Sequence, residues 1–241
     1  EPDITSPLEA KIYLQDLRLL VRYLDVSDAD MEKGHLRCDA NVSIHFEHNG
    51  KKISSPISEI KNLNSFRAVE KALEYEGNRL YKEWLENGDV CTRTHKITVG
   101  WDDDAQRTLL QRSKEEAHDY RYFPEPDLPP IHFTEQLISE IRSEIPEIPS
   151  ARLARFKEQY MLSDKDARQL VEEKELGVFF EEGASELEEW LNVTGFKAEG
   201  LPEKSYKLLA GLIINKLPAL LEDRHETLST TKLDPENMGE L

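Results

Sequence analysis

The chain has 241 residues, enough for one large or two ordinary domains, and its 33% charged and 38% hydrophobic residues are typical of a soluble globular protein. The formal net charge of −17 argues against broad nonspecific binding to nucleic acid, which depends on Lys and Arg to neutralise phosphates, but it allows a local contact to a folded RNA. The sequence contains no apolar run as long as a membrane span and does not open like a signal peptide, so we expect a cytoplasmic protein with no membrane partner.

Both ends of the chain have the character of internal sequence. Residue 1 is Glu rather than Met, and the last segment, LDPENMGEL, has the pattern of a helix that is just beginning. We therefore expect these residues to be part of a longer protein.

The first predicted element is a helix that begins after Ser6. Ser6 is a typical N-cap, Pro7 suits the first helical position, and Glu9 completes a capping box. Apolar residues then recur at helical spacing as far as about Leu24.

A strictly alternating segment follows over residues 35–46. Period two predicts a strand with one buried face. The other face then carries the polar residues Arg37, Asp39, Asn41 and Ser43. Such a face is expected either where a half-exposed sheet meets water or around a metal, a phosphate or a polar tunnel, and the pattern leaves both interpretations open.

A second strand is predicted around residues 57–62, where Glu59 and Lys61 are two positions apart and share a face. Between the two strands, Asn49-Gly50 is a strong signal for a hairpin turn. If the strands pair, Glu59 and Lys61 come close to the row that contains Asp39.

Further elements continue the mixture of helix and strand. Asn64 and Ser65 are expected to cap a long helix over residues 66–87, which Gly88 ends. Residues 90–99 and 107–113 are predicted strands joined by the turn GWDDDAQ. This mixture indicates an α/β or α+β layer.

The segment RSKEEAHDYRYFPEPDLPPI, residues 112–131, is dense in charged and aromatic residues and in proline. Its four prolines favour an extended path. It is either a solvated surface loop or an ordered loop laid across a site, and loops of the second kind often carry functional groups.

Strand signals end near residue 133, and the remainder is predicted to be helical. The helical patterns cover residues 134–145, 150–161, 164–175, 176–192 and 201–222. Pro218 should kink or break the last of them. We expect a separate all-helical domain with its boundary after residue 131.

The groups that could carry chemistry are rich in oxygen and amide. The sequence has no glycine-rich phosphate loop, no nucleophile elbow and no zinc spacing. Asp39 and Glu59 are hard carboxylate ligands that suit Mg²⁺. Donors for phosphate or carboxylate are Arg37, Lys61, Arg112 and Lys114. Such a set fits phosphoryl transfer, in which the protein mainly positions groups and neutralises charge.

Several long motifs together resemble the B subunit of the aspartyl/glutamyl-tRNA(Asn/Gln) amidotransferase. They are EPDITSP, RCDANVSI, EIKNLNSF, KALEYE and RSKEEAHDYRYFPEPDLPP, and they occur in the family's order. The resemblance is dense over residues 1–131 and weaker beyond them. It implies an α+β fold: part of a mixed-sheet, glutamine-synthetase-like cradle over residues 1–131, a helical tRNA-contacting domain over 132–230, and the start of a linker to a tail domain over 231–241.

The resemblance also implies an activity, that of an ATP-dependent carbon–nitrogen ligase with glutamine as the amide donor. ATP and Mg²⁺ are expected to phosphorylate the Glu or Asp carboxyl group on a misacylated tRNA, which replaces a poor leaving group with a good one. Ammonia from glutamine then reaches the site through a hydrophilic tunnel and displaces the phosphate. The implied partners are the amidase A subunit, the small C subunit of the same amidotransferase and the misacylated tRNA.

Carried over residue by residue, the resemblance assigns roles to the polar rows. Catalytic roles are expected for Arg37, Asp39, Glu59 and Lys61, with Asp39 and Glu59 as ligands of Mg²⁺. Residues expected to contact ATP or to line the site are Asn41, Asn62, Asn64, Arg112, Lys114 and Arg121. Glu116 and Asp119 belong to the same loop as the last two.

One departure from the family and two alternatives remain. The N-terminal half of the family's cradle is absent, so we expect these residues by themselves to be inactive. An archaeal paralogue that serves only tRNA(Gln) is one alternative, although it carries an inserted domain for which residues 66–131 leave no room. A noncatalytic RNA-binding or scaffold module is another, but the helices over residues 164–192 are rich in Glu rather than basic.

Overall fold

The computed structural model describes residues 3–87, 96–113, 124–195 and 201–240. The chain forms two compact units, residues 1–143 and 144–241. Helices and a mixed sheet occur together in the first unit and helices in the second, which confirms the α+β class. The domain boundary that the sequence pattern places after residue 131 stays a prediction.

The first unit begins with helix α1, Pro7–Tyr23. Its start confirms the predicted capping box, because the Glu9 amide donates to Ser6 Oγ at 3.2 Å and the Ser6 amide donates to Glu9 Oε2 at 3.1 Å. Two of the orphan amide groups at this helix end are thereby satisfied. Leu14 of α1 is buried and packs in the core with residues of the sheet.

A four-stranded sheet forms the centre of the first unit. Its strands are β1 (Cys38–Val42), β4 (Ser58–Leu63), β5 (Ile97–Asp102) and β6 (Arg107–Ser113), in that spatial order. β1 and β6 run antiparallel to their neighbours, whereas β4 and β5 are parallel. The predicted pairing of the two polar strands is confirmed by the β1–β4 ladder.

The prediction of a single strand over residues 35–46 is wrong. The strand begins at Cys38, ends at Val42 and resumes as β2 (His45–His48), which pairs with β3 (Lys51–Ser54) in a separate hairpin. The chain passes from one sheet to the other at Ile44. Its amide donates to Ser55 Oγ at 3.0 Å, and its carbonyl accepts from the Ser55 amide at 3.0 Å. The predicted Asn49-Gly50 turn is confirmed, although it joins β2 to β3 rather than the two predicted strands.

Asn49 and Gly50 form the turn of this hairpin, with φ of 51° and 71°. Positive φ at both central residues is what a type I′ turn requires, and the twist of that turn matches the twist of the paired strands.

The predicted turn GWDDDAQ is too long. β5 continues through Asp102, so the turn contains only residues 103–106. Trp101 explains the difference, because it is 3% exposed in the core and pairs with Thr108 of β6. The predicted strand residues before Lys96 lie outside the described ranges.

Helix α2 (Phe66–Asn87) packs with α1 against one face of the sheet. Ser65 caps it as predicted, accepting a hydrogen bond from the Ala68 amide at 3.0 Å. The resulting core joins apolar residues of both helices to those of β1, β4 and β5, including Leu14, Ala40, Ile60, Val69 and Val99. The opposite face of the sheet is thereby left for polar residues.

A fully buried carboxylate ties α2 to two strands. Glu76 accepts hydrogen bonds from Ser58 of β4 at 2.6 Å and from Thr108 of β6 at 2.7 Å. Arg79 donates to the same carboxylate at 2.7 and 2.9 Å. Burial opposes ionisation of Glu76, but these hydrogen bonds outweigh it and lower the pKa of the carboxyl group.

Seven helices follow β6 in the described part of the chain. The first unit ends with α3 (Glu135–Glu144), and the second contains α4 (Pro149–Gln159), α5 (Asp164–Glu172), α6 (Lys174–Thr194), α7 (Leu201–Asn215), α8 (Leu217–Arg224) and α9 (Pro235–Glu240). The break between α7 and α8 falls just before Pro218, as predicted.

Aromatic rings form the centre of the second unit. Phe156, Tyr160, Phe180 and Tyr206 contact one another with ring centroids 5.0–5.6 Å apart. Tyr206 also donates a hydrogen bond to Glu188. No helix within the described ranges is both long and apolar enough to cross a membrane.

Candidate functional site

The face of the sheet opposite the helices carries a small array of polar side chains, which we call the polar face. Asn41, Glu59 and Thr98 are direct neighbours across β1, β4 and β5. Lys61 and Gly100 are neighbours in the next row of β4 and β5. Because side chains alternate along a strand, these residues share one face while Ile60 and its neighbours face the core.

Asp39 lies beside Lys61 of the second row, next to a β-bulge. The register between β1 and β4 shifts beside Asp39, where β4 contains one extra residue. Asn62 lies in this bulge with φ of 65°, and its amide group donates to the carbonyl of Trp101 at 2.8 Å. The register that pairs Asn41 with Glu59 continues to place Asp39 beside Lys61, and Asn62 anchors the end of β4 to β5.

Lys61 lies between two carboxylates. Its ammonium nitrogen is 2.8 Å from Asp39 Oδ2 and 3.3 Å from Glu59 Oε1. The hydrogen bond to Asp39 is the main cause that raises the pKa of Lys61 above its ordinary value. The ammonium group is therefore charged throughout the neutral range.

Glu59 is the more enclosed of the two carboxylates, with its side chain 13% exposed. Lys96 approaches its second oxygen at 3.4 Å, and Thr98 donates to that oxygen at 3.3 Å. Desolvation works against ionisation, but the hydrogen bond from Lys61 and the charge of Lys96 outweigh it and lower the pKa of Glu59. Glu59 is thus an ionised acceptor at neutral pH.

Asp39 and Glu59 could provide two of the ligands that a Mg²⁺ ion needs, but not a complete set. Magnesium is usually held by one or two protein carboxylates together with water and substrate phosphates. Asp39 and Glu59 supply two carboxylates that approach one point, where Lys61 now neutralises them. No cluster of three or more His, Cys, Asp or Glu residues suited to a metal occurs in the described ranges, so further ligands would come from elsewhere.

The other predicted site residues are more dispersed. Asn41 lies on the polar face beside Glu59, whereas Arg37 precedes β1 and Asn64 follows β4, both exposed. Asn62 uses its amide group to bind Trp101. The roles assigned to all of them stay predictions.

Most of the predicted loop lies outside the described residues. Arg112 lies in β6 opposite Thr98, but its side chain is outside the described part of the molecule. Lys114, Glu116, Asp119 and Arg121 also lie outside the described residues.

Sequence reasoning missed Lys96, which directly precedes β5, and Thr98 and Gly100 of β5. Lys96 and Thr98 contact Glu59, and Gly100 lies beside Lys61. A Cβ atom at position 100 would lie 2.4 Å from the side-chain nitrogen Nε2 of Gln111, so glycine at this position leaves room for the Gln111 side chain. The spacing of Thr98 and Gly100, two positions apart in a predicted strand, indicates that they share a face. The parallel pairing of β4 with β5, which brings them to Glu59 and Lys61, cannot be read from the sequence.

Comparison with known proteins identifies the family. Residues 1–139, which include the whole polar face, match the family described as the GatB/GatE catalytic domain. The chain belongs to this family. Over 241 residues it is 42% identical to the B subunit of the aspartyl/glutamyl-tRNA(Asn/Gln) amidotransferase of Thermotoga petrophila, covering 100% of this chain and 45% of the relative.

Two further relatives carry the same name. The one from Carboxydothermus hydrogenoformans is 42% identical over 240 residues, again covering 100% of this chain and 45% of the relative. The one from Thermosipho melanesiensis is 50% identical over 187 residues, which are 77% of this chain and 38% of the relative. The chain therefore spans less than half the length of the curated relatives that it matches.

Proposed function

We propose that this chain is part of the B subunit of an amidotransferase that converts misacylated Glu-tRNA(Gln), Asp-tRNA(Asn) or both into Gln-tRNA(Gln) and Asn-tRNA(Asn). The observation that carries the proposal is Lys61 between Asp39 and Glu59 on a polar sheet face, inside the segment that matches the family. The names of the relatives support the same assignment.

In the proposed reaction ATP phosphorylates the side-chain carboxyl group of the amino acid on the tRNA, and ammonia then displaces the phosphate. The proposed partners are the amidase A subunit, which releases ammonia from glutamine, the small C subunit and the misacylated tRNA. A translation enzyme of this kind works in the cytoplasm, which is the location that we propose.

The polar face suits charge neutralisation in such a step. Lys61 offers a permanent positive charge to phosphate or carboxylate oxygens, and phosphoryl transfer depends mainly on such positioning and electrostatic stabilisation. Asp39 and Glu59 would hold Mg²⁺, and the ion when bound supplies further positive charge against the phosphates. Lys96 and Thr98 orient Glu59 through its second oxygen.

The proposal is tested in the full-length protein in complex with its partners. Asp39→Asn keeps the shape of the side chain but removes its charge, and we expect it to abolish both ATP hydrolysis that depends on Glu-tRNA and amidation with ammonium. Asp104→Asn, at an exposed turn residue, is the matched control and should retain both activities. The 241-residue chain alone is expected to lack both.

Two outcomes would contradict the assignment. If ATP hydrolysis survives in Asp39→Asn, and ammonium supports amidation while glutamine does not, the polar face is part of the ammonia path rather than the phosphorylation site. If the altered protein retains every activity, Asp39 has no role in the reaction. Assays with both tRNAs identify which one is served.

A further inference from the structure

The side chain of Gln111 crosses the polar face above Gly100. A Cβ atom at position 100 would lie 3.6 Å from Cγ of Gln111, 3.2 Å from Cδ and closer still to Nε2, so the side chain extends with its amide group over the glycine. Val99 and Trp101 on either side of Gly100 face the core, and the Cβ direction at position 100 is therefore that of the polar face. The amide group of Gln111 thus lies on the polar face.

A bulge in β6 gives Gln111 this position. Thr98 pairs with Arg112 and Val99 pairs with Leu110, so Gln111 is an extra residue between two regular pairs. Bulges change the direction of a side chain and are frequent beside active sites. The local backbone of β6 is therefore arranged to direct this one side chain.

Space, rather than backbone conformation, explains the glycine at position 100. Gly100 lies in a regular strand and has no positive φ that would disfavour other residues. Alanine would fit this backbone, but its Cβ would displace the Gln111 amide. Gly100 and Gln111 are therefore a matched pair.

The Gln111 amide is a neighbour of Lys61 across the sheet. Gly100 pairs with Lys61, and adjacent strands are about 4.8 Å apart. The Lys61 ammonium group contacts Asp39 of β1, on the opposite side of β4, so Gln111 occupies the side that Lys61 leaves. Within the described residues the amide has no hydrogen-bond partner. Because it is uncharged, Asp39 and Glu59 do not attract it as they attract Lys61.

We propose that Gln111 is a substrate-binding residue whose amide group donates a hydrogen bond to an anionic oxygen that Lys61 neutralises. The inference rests on the proposed function, which supplies two groups with such oxygens: the γ-phosphate of ATP and the side-chain carboxyl group of the amino acid on the tRNA. An amide and an ammonium group on neighbouring strands can contact one anionic group together. They then fix its orientation as well as stabilise its charge.

Gln111→Met tests this contact in the full-length protein in complex with its partners. Methionine keeps the length of the side chain but has no amide group, and the loss of a hydrogen bond to a charged group should lower kcat/KM about tenfold or more. A higher KM for ATP would identify a phosphate oxygen, and a higher KM for Glu-tRNA would identify a carboxyl oxygen. Gln15→Met, at an exposed position of α1, is the matched control and should change neither value. Both variants should keep the thermal midpoint of the wild type, because both side chains are exposed.

Gly100→Ala tests the matched pair in a double-mutant cycle. By itself it should lower kcat/KM about tenfold, because the new Cβ displaces the Gln111 amide. In a Gln111→Ala background no amide is left to displace, and Gly100→Ala should have less than about a twofold further effect. An equal cost in both backgrounds would show that the glycine is needed for another reason and would overturn the proposal.

Other outcomes separate this inference from the proposed function. A higher KM for ammonium alone in Gln111→Met would place the amide on the path of ammonia and would overturn the proposal. A wild-type complex that does not amidate tRNA would refute the proposed function, and this inference with it. Amidation by the wild type that Gln111→Met leaves unchanged, with the same KM for ATP and for Glu-tRNA, would refute this inference alone.

Discussion

Replacing Glu76 by Gln hardly changes the shape of the side chain, but we expect it to destabilise the first unit strongly. The buried carboxylate accepts hydrogen bonds from Ser58, Thr108 and two nitrogens of Arg79. Glutamine retains one acceptor oxygen and turns an NH₂ group towards the remaining donors. Hydrogen bonds to a charged group contribute about 1.5–3 kcal/mol each, and one or two of them are lost.

We therefore expect Glu76→Gln to lower the free energy of unfolding by about 2–4 kcal/mol. The upper end is limited because the Arg79 side chain is 31% exposed and keeps a second partner in Glu83. Glu83→Gln is the matched control on the same helix. It weakens a pair that is partly exposed to water, whereas Glu76 is fully buried, and should cost less than about 1 kcal/mol.

Urea unfolding followed by tryptophan fluorescence measures the difference. Trp84 and Trp101 belong to the first unit and Trp190 to the second, so a Trp190→Phe background restricts the signal to the unit that contains Glu76. The two units need not unfold together, and a separate signal keeps the analysis two-state.

The difference should also depend on pH. The native pKa of Glu76 is lowered from an ordinary value of 4.5, so its stabilising effect is complete above that pH and is lost as pH falls through the native pKa. The advantage of the wild type over Glu76→Gln should shrink accordingly below pH 4.5. A cost no larger than that of Glu83→Gln, or a difference that is unchanged in acid, would refute the reasoning.

Two further pairs of substitutions test the site and the helical unit. Lys61→Met should raise the pKa of Glu59, because the hydrogen bond from Lys61 is the interaction that lowers this pKa most. NMR titration should show a larger shift than for Lys96→Met, and equal shifts would contradict the reasoning. Gly177→Ala would place a Cβ 2.7 Å from a backbone oxygen of α5 and should destabilise the protein by about 1–3 kcal/mol. Gly211→Ala, with no atom within 4 Å, should be neutral or stabilising in thermal unfolding, and similar results for both glycines would refute this account.

Local chemistry in the sequence was sufficient to predict several elements. The Ser6 capping box, the Asn49-Gly50 turn and the break before Pro218 each depend on the conformations or hydrogen bonds of a few adjacent residues. The polar character of one face of β1 and β4 follows in the same way from period-two alternation. These features need no knowledge of distant contacts.

The division of residues 35–46 into two strands was not predictable in this way. Alternation continues through Ser43 and Ile44. The chain leaves the main sheet there because the backbone amide and carbonyl of Ile44 hydrogen-bond to Ser55 instead of to a strand of that sheet. That choice depends on a contact eleven residues away rather than on local preference.

The order of apolar and polar side chains along the chain places Asp39, Glu59 and Lys61 on polar strand faces, so local sequence was enough to indicate which residues could carry chemistry. How those residues meet depends on contacts between distant parts of the chain. The antiparallel register of β1 with β4 brings Lys61 to Asp39, and the parallel pairing with β5 brings Lys96 and Thr98 to Glu59. Strand order and register are set by packing of the whole sheet against α1 and α2, and no local pattern contains that information.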